Sequence, residues 1–174
     1  METKFLEPLP ATADGATVEG HASLWGLPDR SGDIVERGAF AASLARLAAR
    51  GDGVRMLWQH DPREPIGLWE AVEEDARGLR VKGRILTEVA RGREALALLR
   101  AGALDGLSIG YRTLRATRDA QGRRRLQEIE LWEVSLVTFP MLREARVASA
   151  KGAALALQDL TAEIAAARAS LRRA

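Results

Sequence analysis

Two pairs of alternating segments, each pair separated by a short cluster of turn formers, constrain this chain more than any other feature of its sequence. IGLWEAVEE (66–74) and LRVKGRI (79–85) flank DARG, and GLSIGYRTLRAT (106–117) and RRLQEIELWEVSLVTF (124–139) flank RDAQG. Alternation at period two with Asp and Gly in so short a connection leaves room for little except antiparallel hairpins. The second half of the chain is therefore expected to be two hairpins, the latter with long arms.

The rest of the body fits around them. ATVEGHASLW (16–25) reads as a strand followed by the irregular loop LPDRSG (27–32). VRMLWQ (54–59) reads as another strand, with Val54, Met56 and Trp58 on one face, and turns at HDPREP. Between these, Phe40, Leu44 and Leu47 recur at the spacing of one helical face, which predicts a helix over 38–50 stopped by Gly51. A second helix is predicted over 88–100, ending at Gly102. About six strands against two inner helices give a mainly β, α+β fold, and short turns favour an antiparallel barrel or sandwich.

Past Pro140 the pattern changes. Residues 153–172 are Ala-rich, with Leu157, Leu160, Ile164, Ala167 and Leu171 forming a narrow apolar seam. The expected division is a body over 1–150 and a C-terminal amphipathic helix or tail over 151–174. That helix lies on the core or docks to a partner or second copy.

Composition narrows the chemistry. There are no cysteines and only two histidines among 174 residues, so disulfides, thiolate catalysis and cysteine- or histidine-rich metal sites are excluded, and no cofactor or metal is expected. Residues 141–174 hold six basic and three acidic groups. Subtracting these from the chain's 26 and 24 leaves 20 basic and 21 acidic residues over 1–140, a body with no concentrated basic character for nucleic acid. No run of apolar residues spans a bilayer, and the N-terminus does not read as a secretory signal, so a cytoplasmic location is expected.

An oxygen nucleophile and an imidazole remain as catalytic candidates. His60 follows a strand in WQHDPREPIG, whereas His21 sits mid-strand and is the weaker choice. Ser108 lies between Gly106 and Gly110 in DGLSIGY, where small neighbours let a substrate backbone approach; the serine precedes a strand, so this is not the strand-to-helix nucleophile elbow. Glu133 lies in the apolar strand LWEVSLVTFP, where a carboxylate wants a partner. Alternation puts Leu131, Glu133, Ser135 and Val137 on one face, with Trp132, Val134 and Leu136 on the other. Ser135 then supports the site or competes as nucleophile.

These pieces occur together and in order: GHASLWG, DRSGDIVERGAF, WQHDPREPIG, EEDARGLRVKGRI, LLRAGALDGLSIGY and LWEVSLVTFPM. The combined pattern, from about Gly20 to Val147, resembles the prohead protease family of tailed bacteriophages. The resemblance implies a fold similar to herpesvirus assembly proteases, a closed antiparallel β-barrel surrounded by helices. It puts the family's catalytic histidine and serine on His60 and Ser108. The herpesvirus relatives use a second histidine as third member, and this chain has none after Ser108; an acid, placed on Glu133, or an effective dyad remains. Backbone N–H groups near Leu107 to Ile109, with Arg143 as a further candidate, would stabilise the oxyanion. The implied substrates are scaffold or the scaffolding segment of the major capsid protein, and the enzyme itself, inside the immature procapsid of a bacterial host. A homo-oligomer, a dimer among the options, is expected. Two other readings use the same residues: a pseudoprotease or scaffold that binds the capsid protein, and a small-molecule-binding barrel whose pocket is lined by Trp58, Trp69 and Trp132.

Overall fold

The computed structural model describes residues 17–147. The predicted C-terminal helix over 153–172, and with it the division at residue 150, lies outside the described residues.

Seven strands and two helices follow in the order β1 (Thr17–Leu24), β2 (Ile34–Val35), α1 (Ala41–Arg50), β3 (Arg55–Trp58), β4 (Asp61–Glu74), β5 (Gly78–Ile85), α2 (Ala90–Arg100), β6 (Gly106–Arg118) and β7 (Arg124–Val137). Both hairpins form where the turn signals put them. Asp75 caps its own turn, Oδ1 accepting the N–H groups of Arg77 (2.7 Å) and Gly78 (2.9 Å). Asp119 does the same for the β6–β7 connection, accepting from Gln121 and Arg123. Short carboxylates that bond the backbone a few residues on are what make such turns cheap to close.

All seven strands lie in one curled sheet. Its path runs β1-β5-β4-β3-β7, with β6 along the far edge of β7 and two-residue β2 beside β3's end of the sheet, also on β7. Two expectations are corrected here. The sheet is mixed, because β2 and β3 both pair with β7 in parallel. The barrel is open, because β1 and β6 do not pair along their lengths. A short segment wedges between them instead: Val147 makes a single bridge to Gly20 and Arg146 one to Gly106. A Cβ on Gly20 would stand 2.2 Å from the Arg146 carbonyl oxygen, so this seam depends on a glycine. The edge of β6 that would meet β1 is instead taken by this segment, the Ala145 carbonyl accepting the Leu107 N–H and Val147 donating its N–H to the Asp105 carbonyl.

Inside the curl lies one apolar core including Met56, Ile66, Leu79, Val81, Leu107, Leu131, Val134 and Leu136. Helix α1 closes one end. Phe40, expected inside this helix, is its fully buried N-cap, and Leu44 and Leu47 pack against the core as the spacing predicts. The buried Ser43 hydroxyl accepts the Leu131 N–H at 2.9 Å, docking the helix on β7. Gly51 ends it in the left-handed conformation, its N–H bonded to the Ala48 carbonyl (3.1 Å) and the Asp52 N–H to the Leu47 carbonyl (3.0 Å).

Candidate active site

The segment HDPREP is not a loop. Strand β4 begins at Asp61, and the turn from β3 is only Gln59 and His60, at φ 52° and 63°. Two successive left-handed residues are what a two-residue hairpin turn requires, and glycine or asparagine is the usual choice. Here a glutamine and a histidine carry the strain, which is characteristic of a position held for its side chain. Local bonds hold the turn: Gln59 donates its backbone N–H to the Leu136 carbonyl (3.0 Å) and its side-chain amide to Thr138 Oγ1 (2.8 Å).

From this tip the imidazole reaches β7. His60 Nδ1 lies 2.5 Å from Glu133 Oε1. A carboxylate can only accept, so Nδ1 carries the proton and Nε2 is left with its lone pair. The second carboxylate oxygen, Oε2, accepts the Ser135 hydroxyl at 2.6 Å, and Ser135 Oγ in turn accepts the His60 backbone N–H at 3.0 Å. These three bonds close a ring through His60, Ser135 and Glu133. Both the backbone and the ring of the histidine are thereby fixed to one buried carboxylate. Ser135 is fully buried and already engaged, so it supports the site and is no rival nucleophile.

Register brings the serine alongside. Ser108 on β6 lies opposite Ser135, and Gly110 opposite Glu133, so four positions form a block on one face of the hairpin. Gly110 is needed for a reason that sequence reasoning missed. A Cβ there would sit 2.1 Å from Glu133 Oε1, so the missing side chain makes room for the carboxylate rather than for substrate. Ser108 is buried, its hydroxyl makes no hydrogen bond among the described residues, and it lines a cavity of about 250 Å³ in the opening between β1 and β6. No hydrogen bond joins it to His60 in this state.

The face prediction for β7 is corrected at one point. Register slips between Gly110 and Tyr111, so that Tyr111 faces Leu131 and Trp132 is the extra residue of a bulge. Leu131 therefore belongs to the core with Val134 and Leu136, and not to the face of Glu133. Trp132 turns outward and is 54% exposed. That removes the pocket postulated from Trp58, Trp69 and Trp132; the first two pack against the core.

Of the two oxyanion candidates on β6, Leu107 spends its N–H on the Ala145 carbonyl at 2.9 Å. Alternation along the strand turns the Ile109 N–H to the same open edge, past the end of that short segment. Arg143 is exposed in the segment after β7, with its carbonyl accepting Arg146 Nε at 2.8 Å. His21, set aside in the sequence, also has a carboxylate: Nε2 lies 2.8 Å from Asp75 Oδ2. Burial works to raise the Asp75 pKa, but the bonds from His21, Arg77 and Gly78 outweigh it and hold the carboxyl below its ordinary range. Among the described residues no group of three or more His, Asp or Glu could hold a metal ion, and no helix is long and apolar enough to cross a membrane.

The chain is similar to several known proteins. A family model described as caudovirus prohead serine protease matches residues 2–158. The prohead protease of Enterobacteria phage HK97 is 32% identical over 145 residues, which is 80% of this chain and 63% of that protein, so the chain spans less than two thirds of that relative's length. The bacteriophage T4 capsid assembly protease superposes with a TM-score of 0.56 at 14% identity, over 78% of this chain and 92% of that one, a likeness of fold. The KSHV protease, bound to a hexapeptide phosphonate inhibitor, has a TM-score of 0.43 at 12% identity, over 75% and 63% of the two chains, which is too loose a match to carry an argument.

Proposed function

This chain belongs to the caudovirus prohead serine protease family, and we propose that it is a serine endopeptidase of capsid maturation with Ser108 as nucleophile, His60 as general base and Glu133 as the third member. The observation that carries the reading is the imidazole–carboxylate pair at the β3–β4 tip, with a buried serine on the strand paired to the one that bears the carboxylate.

A serine hydroxyl is a poor nucleophile at neutral pH, so a base must remove its proton as it attacks a peptide carbonyl. His60 is set up for that: Glu133 holds the proton on Nδ1 and stabilises the imidazolium once Nε2 has taken a second one. The same nitrogen returns its proton to the leaving amine, and water then hydrolyses the acyl-enzyme. The hydrogen bond between Ser108 Oγ and Nε2 forms when substrate fills the cleft, since catalytic groups in unliganded sites are often loosely aligned. The oxyanion is received by the Ile109 N–H at the free edge of β6, with Arg143 adding positive charge from the following segment. Leu107 lacks a spare donor for that role.

The substrates on this reading are scaffold, or the scaffolding segment of the major capsid protein, and the enzyme itself, cut inside the procapsid of the host cell by a homo-oligomer. Ser108→Ala tests it: co-expressed with its capsid and scaffold partners, the variant should leave both at full length by mass spectrometry, a drop in cleavage of about 10⁴-fold or more. Normal processing by that variant would refute the assignment.

A further inference from the structure

The cavity beside Ser108 is not bordered by the base proposed for that serine. Its walls include Ala22 and Ser23 of β1 and Ile109 and Tyr111 of β6, whereas His60 and Glu133 are not among its lining residues. This division matters, because the leaving amine must meet His60 to be protonated, while the acyl half of the substrate stays on the serine. The side chain of the residue that supplies the scissile carbonyl is therefore directed into the opening between β1 and β6.

What the cavity offers that side chain is uneven. Leu27 and Met141, two of the few large apolar side chains left exposed at 40% and 42%, stand at its mouth with Leu142 deeper in. The charged residues lining it are Asp29, Asp33 and Arg124. Arg124 is spent on Asp33, donating from Nε at 2.8 Å and from a terminal nitrogen to the other oxygen. Asp29 is different. Its Oδ1 accepts the N–H groups of Ser31 (2.8 Å) and Asp33 (2.9 Å), while Oδ2 has no partner among the described residues. Burial, the largest influence, raises the Asp29 pKa against those two N–H bonds; Arg124 is near enough to act on Asp29, but it is bonded to Asp33, so two carboxylates and one guanidinium leave the cavity wall with a net negative charge. An apolar rim beside a carboxylate with one unbonded oxygen, in a wall of net negative charge, suits a side chain with a methylene stem and a cationic end.

We propose that this cavity is the acyl-side specificity pocket and that Asp29 selects lysine or arginine at the residue preceding the scissile bond. The inference rests on the proposed protease function and deepens it. Peptidyl diphenyl phosphonates that differ only at the acyl-side residue test it, with a generic fluorophosphonate as control. The lysine analogue should modify Ser108 about tenfold faster or more than the uncharged norleucine analogue, and faster still than the glutamate analogue. In Asp29→Asn, which keeps Oδ1 for the two backbone donors, the lysine advantage should fall to about threefold or less while the fluorophosphonate rate is unchanged. Equal or faster labelling by norleucine or glutamate, with normal fluorophosphonate labelling, overturns the pocket assignment and leaves the protease reading intact. Loss of fluorophosphonate labelling at Ser108 in the unaltered protein overturns both.

Discussion

The molecule contains two histidine–carboxylate pairs made of nearly the same parts, and only one is suited to catalysis. His21 sits in the middle of β1 with regular strand conformation and uses its outer nitrogen, Nε2, to reach Asp75. Asp75 meanwhile spends its other oxygen capping the β4–β5 turn. That pair ties a strand to a turn, and the imidazole is only 14% exposed. His60 sits at a strained hairpin tip and uses its inner nitrogen, Nδ1, so that Nε2 stays free; its side chain is 42% exposed while its carboxylate is 10% exposed. The difference lies in which ring nitrogen is left over and in how far the imidazole is exposed.

The comparison predicts that breaking the two pairs has different consequences. Glu133→Gln should fold, since Gln keeps an oxygen for one of the two partners, yet turnover should fall by about 10³-fold or more because the imidazole loses both its tautomer and the stabilisation of its charged form. Steady-state cleavage of a peptide substrate, with the melting temperature as control, measures this. Were turnover to stay within a few-fold, Glu133 would be no more than a structural partner like Asp75.

Asp75→Asn should do the reverse, leaving turnover within about twofold and costing about 1 kcal/mol of stability through weakened bonds to His21 and the turn. The cost should depend on pH with a definite sign. The folded pKa of Asp75 is lowered from the ordinary value of 3.8, so its contribution is fully present above that pH and is lost as pH falls through the folded value. Denaturant melts of the two proteins should therefore differ at neutral pH and converge in acid, once pH has fallen below 3.8 and through the lowered folded value. A difference that persists into acid would mean that the carboxylate charge is not what holds the turn.

Much of this was legible in the sequence, for identifiable reasons. Both hairpins and both helices follow from periodicity and from turn residues such as Asp75, Gly78 and Gly122. The family motifs pointed to His60 and Ser108, and the cost of burying a lone carboxylate marked Glu133 as wanting a partner, which it has in His60. What escaped was nonlocal or depended on a single residue. A pattern of period two has no means of marking the extra residue at Trp132, so Leu131 was put on the wrong face. The turn at Gln59–His60 carries no glycine, and the prolines after it suggested a loop. The parallel pairing of β3 with β7, which brings the His60 turn to Glu133, joins segments far apart in the chain and leaves no local trace. The need for Gly110 became visible only once the register set it against Glu133.

Labelling with a serine-directed fluorophosphonate tests the catalytic assignment most directly, with the modified residue located by peptide mass spectrometry in the unaltered protein, His60→Ala and His21→Asn. The account predicts that the label sits on Ser108, falls by about 10³-fold or more without His60, and is unchanged without His21. Label on a different serine, or undiminished modification of Ser108 in His60→Ala, would contradict it.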